Sequence, residues 1–331
     1  MTDRPSTERV LVTGAAGFIG YHLAKRLADD GHHVVCADNM IRGEDDEAYR
    51  ALCERPNVTR VDIDLTDQAA VRGLPDDIDR VFHLAAMNGT QNFYERPFEV
   101  MRCCTLPTIF LLEKYGPLGL KRFVYTGTSE AYASTVTQFN WPVPTGEDVP
   151  LSIDDPSNVR WSYGASKMHG EVATQCAAKF FDLRFTVIRY HNVYGPRMGD
   201  KHVVPDFLIR ARDGVLSLYG HEDTRAFLYI DDAVEATLRV AQMDACEGET
   251  INIGAEQEMT IRDLGEAMKR IAGLEGEITL HPSPKGSVKR RAPKVEKLKH
   301  LTNFHETWSL EDGLRETAKY YLCGQVGDAN K

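Results

Sequence analysis

The chain predicts an α/β fold: a doubly wound, mainly parallel sheet with a smaller C-terminal lobe. Three observations carry this. Strand-like apolar runs alternate with helix-like runs as far as Tyr190, a glycine-rich turn joins the first strand to the first helix, and the alternation loosens after Asn192 into shorter segments richer in Gly and Pro. In order, "RVLVT" reads as the first strand and a helix follows from about Gly17 to Asp30. "HVVCA", "VTRVDI" and "RVFHLA" are the next strands, and a helix begins after Pro97. "RFVYT", a long helix after Trp161 and "RFTVIRY" complete the alternation. The polar, Pro-rich segment from about Gln138 to Asn158 is expected to be a surface loop near a site. Near the end, "SLEDGLRETAKYYL" predicts a helix with Ser309 as N-cap and Glu311 and Asp312 in its first turn. The expected boundary puts residues 1–191 in a first domain built on the glycine-rich turn and 192–331 in a second lobe interleaved with it.

With 331 residues, of which 42% are hydrophobic, the chain can bury a substantial core. Its 39 Lys plus Arg against 49 Asp plus Glu leave a net charge of -10, which disfavours nucleic-acid and anionic-membrane partners. The basic run "KGSVKRRAPK" is therefore expected to face substrate phosphates or solvent. Seven scattered cysteines show neither metal-ligand spacing nor a disulfide framework, so reduced thiols and no metal are expected. No run of about eighteen apolar residues reads as a membrane span, and a cytoplasmic protein is the expectation.

In "VLVTGAAGFIG", Gly14, Gly17 and Gly20 follow a strand and open a helix, with Phe18 and Ile19 between the last two. Such a turn lets backbone approach a pyrophosphate at a helix N-terminus, the Rossmann arrangement. Asp38, followed by Asn39, ends the next strand, where a carboxylate accepts hydrogen bonds from adenine-ribose hydroxyls and repels a 2′-phosphate. NAD is thus favoured, with Arg42 close enough to leave NADP open. In "YGASK", Tyr163 and Lys167 lie four apart on one helix face, where an ammonium can stabilise a phenolate and so prepare a general base. "YTGTSEAYA" adds the hydroxyl of Thr128 and the carboxylate of Glu130 at the end of a strand.

These motifs, with "VFHLAA", "RYHNVYGP" and "TRAFLYIDD", resemble the extended short-chain dehydrogenases, and within them the nucleotide-sugar epimerase/dehydratase family. The resemblance spans nearly the whole chain. It implies tightly bound NAD that takes a hydride from C4 of a sugar carried on a nucleoside diphosphate. Tyr163 would be the base, Lys167 would bind the nicotinamide ribose, and Thr128 would hydrogen-bond the reacting hydroxyl. Asp64 and Leu65 match positions around adenine, and Leu84, Ala85 and Ala86 belong to the cofactor wall. Asn192 and Arg225 match positions that hold the substrate diphosphate, and Arg291 is a further candidate for the same role.

Three readings of the function follow. Epimerisation or elimination leads, with Glu130 as acid/base at C5; decarboxylation of a nucleotide uronate is the alternative; a non-catalytic NAD(P)-sensing protein is the reading of another class. Ser129 stands where some dehydratases have an aspartate, and Cys104 to Thr108, with Pro107, replace the family's usual Asn-x-x-Gly-Thr. Tyr132 matches a structural tyrosine, and His191 and His202 are left outside the catalytic set. A homodimer through the helix after Pro97 and the helix carrying Tyr163 is expected.

Overall fold

The computed structural model of the chain describes residues 7–283 and 288–322. Strands β1 (Arg9–Thr13), β2 (His33–Asp38), β3 (Val58–Asp62), β4 (Arg80–His83), β5 (Arg122–Thr128) and β6 (Phe185–Tyr190) alternate with helices. These are α1 (Phe18–Asp29), α2 (Glu47–Cys53), α3 (Gln68–Arg72), α4 (Thr90–Glu95), α5 (Pro97–Tyr115), α6 (Ala133–Gln138) and α7 (Ser162–Phe181). The chain continues through β7 (Val193–Tyr194), α8 (Val203–Arg212), β8 (Ser217–Tyr219), β9 (Thr224–Ala226), β10 (Leu228–Tyr229) and α9 (Ile230–Gln242). It ends with β11 (Thr250–Ile253), β12 (Glu258–Thr260), α10 (Ile261–Ile271), β13 (Thr279–His281), β14 (Arg290–Arg291), α11 (Glu296–Thr302) and α12 (Leu310–Leu322).

The main sheet has the order β11-β6-β5-β4-β1-β2-β3, with every pair parallel. A parallel sheet is covered on both faces, and β1 shows why its strands are apolar throughout. Val10 and Val12 enter the core beneath α1 and α9, whereas Leu11 enters the one beneath α3, α5 and α7. The strand period of two thus feeds two separate hydrophobic layers. The first layer runs on into the second lobe through Tyr194, Leu228 and Leu264. That lobe carries β12-β9-β14, β13-β8 and β10-β7.

The chain beyond residue 192 is not a detached body. β11 pairs with β6 and closes one edge of the main sheet, and α9 packs against α1. α5 begins at Pro97 and passes through the buried Pro107 without ending there. The Ser309 hydroxyl accepts the Asp312 N–H at 3.1 Å at the start of α12, the cap expected from the sequence. The segment after α6 is stitched down: the Glu147 carboxylate accepts the Asn252 N–H at 2.9 Å, and the Thr145 N–H donates to the Ala292 carbonyl at 2.9 Å. In the basic run near 285–294, residues 285–287 lie outside the described residues, while Arg290 and Arg291 pair with Glu258 and Glu130. Among the described residues no helix is long and apolar enough to cross a membrane, and no acid, His and Cys cluster could hold a metal.

α7 lies unusually close to β5. A Cβ on Gly170 would fall 1.9 Å from the Tyr125 hydroxyl, which itself donates to the Lys167 carbonyl at 3.3 Å. Gly170→Ala is therefore expected to lower stability by about 1–3 kcal/mol, as overpacked cores do, in urea unfolding.

Candidate functional site

One cleft of about 670 Å³ runs along the carboxyl ends of the strands, where the sheet order reverses between β1 and β4. It is lined by Gly14, Gly17, Phe18, Ile19, Gly20, Asp38, Asn39, Asp64, Leu65, Leu84, Ala85 and Ala86 toward one end. Thr128, Glu130, Tyr163, Lys167, Asn192, Arg225 and Arg291 line it toward the other. Residues singled out from separate motifs thus meet in a single space.

At the first end, backbone takes the place of side chains. Gly14 has φ +72°, and a Cβ there would lie 2.9 Å from the Ala85 nitrogen; one on Gly20 would lie 2.0 Å from the Gly14 carbonyl oxygen. No side chain caps α1 at Gly17, so first-turn N–H groups are left for a bound anion. Asp38 holds the turn in place: its carboxylate accepts the Ala16 N–H at 3.0 Å and the Met40 N–H at 2.8 Å. Glycines that a Cβ would block, an uncapped helix start and a carboxylate at the end of β2 fit a dinucleotide with free ribose hydroxyls.

At the other end, α7 presents Tyr163 and Lys167 one turn apart. The Lys167 ammonium donates to the Thr126 carbonyl at 2.8 Å and lies 5.9 Å from the Tyr163 ring centre. Tyr163 stacks on Phe93 with ring centres 5.2 Å apart and hydrogen-bonds Thr128, whose hydroxyl oxygen also accepts the Glu130 N–H at 3.2 Å. The lowered tyrosine pKa expected from the sequence is not present in this structure. Burial, with the Cys104 and Glu130 charges adding to it, pushes the Tyr163 phenol well above its ordinary value, and the Thr128 hydrogen bond opposes this only in part. Burial likewise lowers Lys167, against the pull of Cys104 and Glu171.

Glu130 sits between two arginines. Its carboxylate meets Arg291 at 2.6 Å and Arg160 at 3.2 Å, and Arg160 stacks over Trp161 at 4.6 Å. Burial works to raise its pKa, but the charges and hydrogen bonds of Arg291 and Arg160 outweigh it and hold the group below the ordinary 4.5. Arg291, expected beside a diphosphate, thus has its guanidinium on Glu130. Arg225 donates to the Thr224 carbonyl at 2.7 Å; burial and the nearby Arg291 bring its pKa down to about 10. Asn192 has φ +38°, a conformation asparagine tolerates, and its amide donates to the Ala226 carbonyl at 3.0 Å.

Arg160 was legible only as the residue three before Tyr163, because nothing local says which carboxylate it meets. Phe93, Cys103, Lys201 and His202 also line the cleft. His191 does not: it is fully buried, 3.0 Å from the Tyr132 hydroxyl and 3.3 Å from the Asn252 amide oxygen.

Fold and cleft together define a dinucleotide-dependent enzyme of the short-chain dehydrogenase type. The chain belongs to the NAD dependent epimerase/dehydratase family, whose model matches residues 10–254, and NAD is its cofactor. It is 33% identical over 326 residues to UDP-N-acetyl-alpha-D-glucosaminuronate decarboxylase of Bacillus cytotoxicus, covering 95% of this chain and 98% of that protein. Among solved structures, UDP-glucose 4-epimerase of Thermotoga maritima with UDP-glucose is similar at TM-score 0.84 and 29% identity, covering 95% of this chain and 98% of that one. UDP-glucuronic acid 4-epimerase of Bacillus cereus, in complex with UDP-glucuronic acid and NAD, has TM-score 0.84 and 28% identity with the same coverage.

The Glu130 pairing has a pH signature. Because the folded-state pKa lies below 4.5, the stability it contributes is complete above that pH and is lost as pH falls through the folded value. Arg160→Gln should raise the Glu130 pKa, seen by ¹³C NMR of labelled glutamate, and move acid unfolding to higher pH.

Proposed function

We propose that the enzyme oxidises a UDP-linked uronate at C4 and releases carbon dioxide from C5. The observation that carries this is Glu130 clasped between Arg160 and Arg291. Two guanidinium groups around one carboxylate leave a net positive charge at the inner end of the cleft, which suits an anionic sugar carboxylate better than a neutral hydroxymethyl group. A carboxylate held below its ordinary pKa is also a weak base for the C5 proton, which elimination needs and decarboxylation does not. Ser129 offers no acid for a departing hydroxyl.

In this reading Tyr163 takes the C4 hydroxyl proton, Thr128 orients that hydroxyl, and Lys167 favours the phenolate. When bound, NAD would accept a hydride from C4 at the start and return it to C4 once C5 has been protonated, so that no net redox change occurs. With a ketone at C4 the sugar is a β-keto acid: the C5–C6 bond breaks, carbon dioxide leaves, and its electron pair becomes the C4–C5 enolate. A proton then joins C5. Asn192 and Arg225 hold the diphosphate, and Arg291 holds the sugar carboxylate and Glu130 together. The uronate substrates named for the Bacillus cytotoxicus and Bacillus cereus relatives support the choice of sugar.

We also take the enzyme to be a cytoplasmic homodimer. Val172, Cys176 and Phe180 form an exposed stripe at helical spacing on α7, and Phe98 is exposed on α5. The six described cysteines are free, as a reducing compartment keeps them.

Incubation with UDP-glucuronic acid in heavy water should give a UDP-pentose, carbon dioxide and one deuteron at C5. C4 inversion with the carboxylate retained would refute decarboxylation. Tyr163→Phe should lower turnover by roughly 10²–10⁴-fold, the span typical of a lost general base. Phe180→Lys should convert a dimer to a monomer in light scattering.

A further inference from the structure

The turn after β7 reaches across the cleft. Arg197, with φ +68° and a side chain only 4% exposed, carries a guanidinium that reaches both the glycine turn and the segment after β2. It pairs with the Asp46 carboxylate, donates to the Ala16 carbonyl at 3.3 Å and the Glu44 carbonyl at 3.4 Å, and lies 4.1 Å over the Tyr21 ring. Ala16 belongs to the glycine turn; its carbonyl also accepts the Glu44 N–H at 3.1 Å, and its N–H donates to Asp38. The turn that carries Arg197 is held from both sides. The His22 ring meets the Pro196 carbonyl at 3.0 Å, and the Tyr321 hydroxyl donates to the Met198 carbonyl.

Two segments therefore meet over the cleft, residues 38–46 from the sheet domain and 195–199 from the second lobe. Arg42 marks the meeting: its guanidinium lies 3.8 Å from where a Gly199 Cβ would be. A left-handed non-glycine residue is retained only where its surroundings over-determine it, and here the Arg197 contacts do so together with those of His22 and Tyr321 on either side.

We propose that Arg197 is a latch that keeps NAD in the cleft between turnovers, by tying the glycine turn and the 38–46 segment to the second lobe. Parting those segments opens the cofactor end, and the Arg197–Asp46 pair must break for them to part. The inference concerns the cofactor alone and stands whichever sugar reaction the enzyme performs. Arg197 acts through the segments it holds, as a positioning residue.

The test is exchange of bound NAD for radiolabelled NAD in the full-length holoenzyme. Asp46→Asn removes the charge yet keeps a side chain that can cap α2, where Asp46 now accepts the Tyr49 N–H at 2.8 Å. Exchange in this variant should be about tenfold faster, the ratio expected when a charge-assisted hydrogen bond becomes a neutral one, with a melting temperature near that of the parent. Arg197→Lys, which loses the fork that reaches three acceptors, should exchange faster as well. Glu235→Gln removes the charge from a link away from the cleft, to Arg26 at 3.1 Å between α9 and α1, and should exchange at the parent rate. Parent-like exchange in both latch variants, or equal acceleration by Glu235→Gln, would overturn the proposal.

Discussion

The reacting end depends on how closely α7 lies against β5. Gly170 lets the helix settle onto Tyr125, and Gly164 passes the Glu130 carbonyl so closely that a Cβ would stand 3.0 Å from it. That approach brings the buried Lys167 ammonium within 2.8 Å of the Thr126 carbonyl, and so sets Tyr163 beside Thr128. A longer side chain at either glycine would push the helix outward and separate the tyrosine from the strand end. The geometry of the site is therefore a packing result before it is an electrostatic one.

Electrostatics then divides the cleft into two unlike halves. At the dinucleotide end the glycine turn offers backbone N–H groups, and the Asp38 carboxylate is itself hydrogen-bonded to backbone. At the sugar end the charges are carried by side chains: Glu130 is held by Arg291 and Arg160, and Arg225 feels both Arg291 and Glu130. Removing one member changes the charge felt by the rest, so single substitutions there will not be additive.

The layered fold and the cofactor end were legible because their signals are local. Period-two and helical patterns, a glycine turn and an acid at a strand end each fall within about 20 residues. YxxxK was legible for the same reason. The sugar end was only partly so. Arg160, Glu130 and Arg291 come from a turn before α7, the end of β5 and β14, and their meeting is a tertiary event that no spacing encodes. The tyrosine pKa shows a different limit. Helical spacing places a cation near a phenol, but burial, which spacing does not reveal, acts against it in the protein alone. The 191/192 boundary followed a change of texture, and no local signal marks β11 as a partner of β6.

That return bears on biosynthesis. β6 is buried along nearly its whole length, and one of its edges is paired only by β11, from residues 250–253. While the chain is being made, this edge stands open, a row of unpaired donors and acceptors on an apolar strand, until the later segment emerges. The sheet gains its last strand only when the lobe that follows has been made. A chain cut short before residue 250 would thus present a sticky sheet edge instead of a smaller working domain.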